Sequence, residues 1–307
     1  MKKQIRIGTR ESQLAVWQAE QVKGLLAQYG YASELVYIKS EGDIDLKTPL
    51  YEMGVQGVFT RSLDIALLNE QVDIAVHSMK DVPTQLADGI MQAAILKRAS
   101  HKDLLVFKND SSFLTDVNSR AVLATSSIRR KAQWLHRYPH HTIENLRGNV
   151  NTRLKKIEES NWDGAVFAAA GLERIDLRPS NSIELDWMLP APAQGAIMVA
   201  SRKKDIYCLD ACAHFNDADT ATCVKIERDF LRTLLGGCST PISALAEIVN
   251  GDIHFKGNIL SLNGKEKVEI EKIFSRNDVE EAGISAAKEL LNNGGKAIAD
   301  NIRNATK

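Results

Sequence analysis

Long apolar runs are missing from this 307-residue chain. None approaches the roughly 20 residues that a membrane-spanning helix needs. Cysteine is scarce: Cys208, Cys212, Cys223 and Cys238 are too few and too clustered for a disulfide framework. Charge of one sign is not in excess either. The 39 Lys and Arg balance 39 Asp and Glu, which argues against a protein built mainly to hold nucleic acid. Aromatic residues are only 6% of the chain, a poor supply of stacking platforms for single strands. Neither a P-loop nor a GxGxxG motif occurs, and there is no internal repeat or low-complexity segment. The opening "MKKQIRIGTR" enters a strand-like segment without an apolar stretch, so no signal peptide and a cytoplasmic location are expected. Cys208, Cys212 and His214 lack a second ligand pair at zinc spacing, so no metal is expected.

What the chain does have is alternation. "QIRIG", "SELVYIK" and "DIAVHS" read as strands, separated by helical patterns at 14–28 and "GVFTRSLDIALLNE". In the first helix Trp17, Val22, Leu25 and Leu26 mark the apolar side. After a polar stretch from Arg98 to Asp103 the pattern restarts, with strands in "RAVLAT", "HTIENL" and "GAVFAAA". The helices between them are "SSIRRKAQWLHRY", with Ile128, Ala132 and Leu135 on its apolar face, and "VNTRLKKIEES". "LPAPAQGAIMVASR" reads as a Pro-containing crossover and a return strand. Beyond Asp217 come an amphipathic helix ended by glycines, antiparallel strands around Asn263-Gly264, and one last long helix. The expected class is α/β with three domains: two with mainly parallel sheets, and a smaller C-terminal one with an antiparallel sheet.

Open parallel sheets take ligands at the carboxyl ends of their strands, and here those ends carry arginine and hydroxyl groups. The first strand leads into Arg10. "DIAVHSMKDVP" ends in Ser78, Lys80 and Asp81. "TSSIRR" supplies Thr125, Ser126, Ser127, Arg129 and Arg130, "LRGNVNTR" supplies Arg147, Gly148, Asn149 and Arg153, and "AGLERI" supplies Arg174. Guanidinium forks and helix N-termini suit carboxylate or phosphate. Singly, Ser126, Ser127 and Asn149 read equally well as helix N-caps, and Arg129 and Arg130 as solvated charges. The set points to a cleft for a ligand with several negative groups. Asp81 beside Lys80 reads at this point as a salt bridge or as part of that cleft. Cys238, just after Gly236 and Gly237, is a loop thiol, a nucleophile or a covalent attachment point.

"VHSMKDVP", "TSSIRR", "LRGNVNTR", "PAQGA" and "GGCSTP", in this order and spacing, resemble the hydroxymethylbilane synthase (porphobilinogen deaminase) family over nearly the whole chain. The resemblance implies two binding-protein-like lobes, residues 1–97 with 196–214 and residues 98–195, around a central cleft. A third domain, 215–307, would carry a dipyrromethane cofactor, one per chain, thioether-linked to Cys238. The implied activity is deamination and stepwise joining of four porphobilinogen molecules on that cofactor, followed by hydrolytic release of hydroxymethylbilane and with ammonia as by-product.

Asp81 matches the family's catalytic aspartate, and the residues of the arginine motifs, with Ser78 and Lys80, match its carboxylate-binding positions. Asp43, Gln56, Phe59 and Gln194 match further site positions. Gln56 stands where many relatives have lysine, Glu41 where some have a basic residue, and Leu235 where a glutamate is common. A monomer using no nucleic acid or membrane is expected. The rival reading is a non-catalytic, two-lobed polyanion-binding protein.

Overall fold

The computed structural model describes residues 3–39, 60–234 and 240–305. Its first sheet contains β1 (Ile5–Thr9), β2 (Ser33–Tyr37), β3 (Ile74–Ser78), β4 (Ile90–Ile95) and β10 (Ile197–Arg202), in the order β2-β1-β3-β10-β4. β1 runs parallel to β2 and β3, while β10 returns antiparallel between β3 and β4. Successive side chains of a strand face opposite sides, and both sides are covered here. Ile74, Val76, Ile197 and Val199 pack with Ala19, Val22 and Leu26 of α1 (Gln13–Gln28) and with Cys208 and Cys212 of α6 (Ile206–Ala213). Ala75, Met198 and Ala200 pack on the other side with Leu63, Ala66 and Leu67 of α2 (Arg61–Leu68). This double covering is why "IAV" reads as an uninterrupted apolar run.

The second sheet holds β5 (Asp103–Phe107), β6 (Val122–Ala124), β7 (Thr142–Glu144), β8 (Gly164–Ala168) and β9 (Ser182–Glu184), ordered β7-β6-β8-β5-β9. β6 is parallel to β7 and β8, and β5 is antiparallel to β8 and β9. Trp134 of α3 (Ile128–Arg137) covers Leu105, Leu123 and Val166. Ile157 of α4 (Val150–Glu159) and Leu172 of α5 (Ala169–Glu173) cover Leu104, Val106 and Phe167. In the third unit, β11 (Ile242–Val249), β12 (Asp252–Leu260) and β13 (Lys267–Phe274) form an antiparallel meander. It packs on α7 (Ala218–Leu234), α8 (Val279–Leu290) and α9 (Lys296–Ala305).

The α/β class, with two mainly parallel sheets and a smaller antiparallel one, is as expected. Three details differ. β4, β5, β9, β11, α5 and α6 carry no mark in the sequence reading above, with α5 starting inside the expected strand "GAVFAAA", and Asp103 opens β5 rather than closing a polar stretch. The last helix is two helices, broken at Gly294 with φ 106°, where glycine permits a backbone turn that ends one helix before the next begins. The buried face of α3 holds Arg129, Arg130, Gln133 and Trp134 beside Ala132, whereas Ile128 and Leu135 lie at its margin. Among the described residues no helix is long and apolar enough to cross a membrane.

Two crossovers join the first two sheets, one from β4 to β5 and one from β9 to β10. They run backbone against backbone, with the Ala99 amide donating to the Gly195 carbonyl at 3.1 Å. Gly195 has φ +86°, and a Cβ there would lie 2.7 Å from the carbonyl oxygens of Ala99 and Ser100. A side chain would force the crossovers apart.

Candidate functional site

The end of β3 passes into a short 3-10 turn, Met79–Asp81. Met79 is buried in the apolar cluster behind the sheet, so Lys80 and Asp81 project from the turn's other side. Ser78 is held by Gln18 of α1, whose Nε2 donates to Oγ at 2.8 Å. Gln18 is fully covered and the sequence reading missed it; it lies on α1's buried face, where a polar residue needs a partner. Among the described residues the Asp81 carboxylate has no hydrogen-bond partner.

Across from this turn stand the helix N-termini of the second sheet. Ser127 caps α3 by accepting from the Arg130 amide, and Asn149 caps α4 by accepting from the Thr152 amide at 2.9 Å. Thr125 Oγ1 accepts from the Ser127 amide at 3.2 Å, and Ser126 Oγ ties to Asn145 and to the Leu146 backbone. The capping reading of Ser127 and Asn149 is therefore realised in the structure. Gly148 adopts φ +116°, and its carbonyl accepts from Arg153 Nε at 2.7 Å. Arg147 is buried beside it.

Burial, the neighbouring Arg130 and the nearby Arg147 push the Arg153 guanidinium down to about 10, with the Asp81 charge acting the other way. Lys80 is pushed down to about 8 by burial and then by Arg130, against the pull of Asp81 and Asp103. Two sheets thus contribute to one electrostatic neighbourhood: Lys80 and Asp81 on one side, Arg129, Arg130, Arg147 and Arg153 on the other. Arg10 acts instead on His77, which burial pushes down to about 4, so that residue is neutral near pH 7. Arg174 lies at the crossovers, its Nη2 donating to the Gly195 carbonyl at 2.8 Å and its guanidinium 5.6 Å from the centre of the Trp17 ring.

Asp103 explains why Arg129 and Arg130 are so deeply placed. It is fully buried and accepts from Arg129 Nη2 at 2.8 Å, from Arg130 Nε and Nη2 at 3.1 and 2.8 Å, and from Gln194 Nε2 at 2.9 Å. Those charges hold its carboxyl well below the usual carboxylate range despite burial. Gln194 in turn accepts from Lys80 Nζ at 3.3 Å, linking the turn of the first sheet to β5 of the second. In sequence, Asp103 shows only as an aspartate opening the apolar run "DLLVF", much as Asp73 precedes "IAV".

The arginine group retains capacity for an added anion. Nε of Arg129 and Nε of Arg174 are buried without a hydrogen-bond partner among the described residues, and a buried donor in that condition favours a ligand acceptor. Cys238, Asp43, Gln56 and Phe59, together with Glu41 and Leu235, lie outside the described residues. Among those described, the three cysteines are buried, with the thiols of Cys212 and Cys223 pushed up to about 12 by burial, and no acidic, His and Cys cluster could hold a metal.

Comparison with known proteins bears on this geometry. The family model described as porphobilinogen deaminase, dipyromethane cofactor binding domain, matches residues 5–210, and that of the porphobilinogen deaminase C-terminal domain matches residues 221–292. Porphobilinogen deaminase of Chlorobium phaeobacteroides is 38% identical, over 99% of this chain and 99% of its own. That of Syntrophomonas wolfei is 40% identical, over 96% of this chain and 97% of its own. Among solved structures, the methionine binding protein MetQ is similar with a TM-score of 0.45 at 13% identity, over 71% of this chain and 91% of that one.

Proposed function

The chain belongs to the porphobilinogen deaminase family, and we propose that it is a hydroxymethylbilane synthase, a transferase that works with Asp81 as its catalytic carboxylate and Cys238 as its cofactor anchor. The observation that carries this reading is that Asp81 and Lys80, in one turn linked through Gln194 to Asp103, lie within electrostatic reach of Arg130 and Arg153 from the facing sheet. Porphobilinogen bears two carboxylates and an aminomethyl group. Its C–N bond must break with ammonia leaving, and positive charge then develops on the pyrrole and its methylene. Asp81, a carboxylate without a competing hydrogen bond among the described residues, offsets that charge and can hold the proton released from the ring nitrogen.

Guanidiniums orient the acid groups through paired N–H donors. Arg129 and Arg130 are fixed from behind by Asp103, so they keep their direction whether or not an anion is present. Lys80, with its ammonium lowered to about 8, offers a cation that an arriving carboxylate would stabilise further. The Nε atoms of Arg129 and Arg174, unpartnered among the described residues, the hydroxyls of Thr125, Ser126 and Ser127, and the backbone at Gly148 and Asn149 suit a polycarboxylate such as dipyrromethane. When bound, that cofactor supplies the free pyrrole carbon to which the first substrate unit is joined.

The same reading treats residues 1–97 with 196–214, residues 98–195 and residues 215–307 as domains, supported by the separate sheets and their apolar clusters. It carries with it a cytoplasmic monomer. The balance of 39 basic and 39 acidic residues supports a partner that is a small molecule rather than nucleic acid.

Intact mass is the test. The purified protein should exceed its sequence mass by one dipyrromethane, or gain that increment on incubation with porphobilinogen, and Cys238→Ser should not. A bare mass in both after incubation would defeat the reading.

A further inference from the structure

Asp81 makes no side-chain hydrogen bond among the described residues, so the direction of its carboxylate is set by the backbone of its turn. That backbone is pinned in front, where the Met79 amide donates to the Ala196 carbonyl at 3.0 Å. Behind it lies a cavity of about 500 Å³ whose walls include Met79, Thr84, Ala221, Lys225 and Arg228.

One group spans the space. Arg228 of α7 directs Nη1 to the Val82 carbonyl at 2.9 Å and, at a longer 3.5 Å, to the Met79 carbonyl, while Nη2 donates to the Pro83 carbonyl. Its fork thus holds three carbonyls that flank Asp81 on both sides in sequence. Val224, one helical turn before Arg228 on the same face, packs into the apolar cluster containing Met79 and Val82. Lys225 and Arg232, the neighbouring cations of α7, are instead paired with Asp229 at 2.8 Å each. Arg228 alone among these three cations is spent on the turn.

We infer that Arg228 is a positioning residue for the reaction: it holds the Met79–Pro83 backbone so that the Asp81 carboxylate points at the developing positive charge. A planar fork with several fixed donors suits this task, whereas a lysine ammonium is a point charge on a flexible stem. This rests on Asp81 being the catalytic carboxylate. It further implies that α7, an element of the third unit, controls turnover through its contacts with the Met79–Pro83 backbone.

The experiment compares Arg228→Ala, Arg228→Lys, Asp81→Asn and the control Arg232→Ala, each as full-length enzyme. Turnover is normalised to the cofactor-loaded fraction read from intact mass, so that a loss of folded or loaded protein does not count as a loss of catalysis. Arg228→Ala is expected to lose at least tenfold in kcat with KM within twofold of the parent, and Arg228→Lys to recover part of that loss. Arg232→Ala should match the parent. A kcat for Arg228→Ala within twofold of the parent, with Asp81→Asn inactive, would overturn the clamp and leave Asp81's role standing. Parental turnover in Asp81→Asn would remove that role, and the clamp with it. Should Arg228→Ala fail to fold, Arg228→Gln is judged by the same twofold limit.

Discussion

Asp103 has to neutralise two guanidiniums where water does not reach. Arg129 and Arg130 are each only 5% exposed and Asp103 is 0% exposed, so the charges cannot be relieved by solvent. Breaking a buried pair by removing one partner costs more than the pair contributes, typically about 3–5 kcal/mol. Asp103→Asn should therefore lower stability by about that amount, because an amide turns two of its hydrogens toward groups that are themselves donors. The pH dependence follows from the same contacts. Because the folded carboxyl titrates far below the roughly 3.9 of an unfolded aspartate, its contribution is fully present above that value and fades as pH falls below it. Urea midpoints measured from pH 7 to pH 3 should fall along the acid limb in the parent and fall less in Asp103→Asn. Equal slopes in the two proteins would mean that Asp103 does not drive the acid loss.

At the scale of elements, the two arginine loops succeed through their helix starts. The Gly148 φ of +116° lets the chain turn sharply into α4, and the same residue's carbonyl anchors Arg153. A Cβ at this position would lie 2.8 Å from Thr152 Cγ2 and 2.9 Å from Thr152 Cβ. Gly148→Ala should cost about 1–3 kcal/mol from backbone strain, visible as a lower thermal midpoint, and should weaken binding of a polycarboxylate. Adding Thr152→Ser should not restore the protein, since the Cβ contact and the strain remain; full recovery would show that the methyl clash was the whole effect.

The arginine loops were legible in sequence because N-caps and arginines stand together in "TSSIRR" and, with a glycine, in "LRGNVNTR". β5 was not legible. Its five residues follow a polar stretch, and the burial of Asp103 depends on Arg129 and Arg130, 26 and 27 residues away. The face of α3 was misread for a related reason: apolar spacing favoured Ile128 and Leu135, but the buried side is chosen by the two arginines reaching Asp103 and by Trp134. Periodicity records side-chain polarity and does not record that a charge has its partner on another strand.

At the scale of the whole molecule, one of the residues that join the units is also not revealed by local patterns. Glu227 of α7 is 0% exposed. It accepts from the Ala193 amide at 2.6 Å and the Ala246 amide at 2.8 Å, and it pairs with Arg98 at 2.6 and 3.1 Å. Those partners belong to the return crossover, to β11 and to the outgoing crossover, so one carboxylate ties the third unit to both crossovers. Arg98 extends the junction by donating through Nε to the Gln194 carbonyl at 2.8 Å, next to the contact between Gln194 and Lys80. With four donors converging on two oxygens, Glu227→Gln loses the charge that balances Arg98 and turns an N–H toward a donor. The expected cost is about 3–5 kcal/mol. The bonds from Ala193 and Arg98 run between units and the one from Ala246 lies within the third, so most of the cost should fall on the coupling of the units. Denaturant unfolding followed by tryptophan fluorescence and by far-ultraviolet circular dichroism should give coincident curves in the parent. In Glu227→Gln the two curves should separate, because Trp17, Trp134, Trp162 and Trp187 all report on the first two sheets and none on the third unit. Coincident curves at the parental midpoint would mean that the remaining contacts between units, among them Val224 packed on the first sheet and Gln133 bonded to Ser243, couple them without the buried charge.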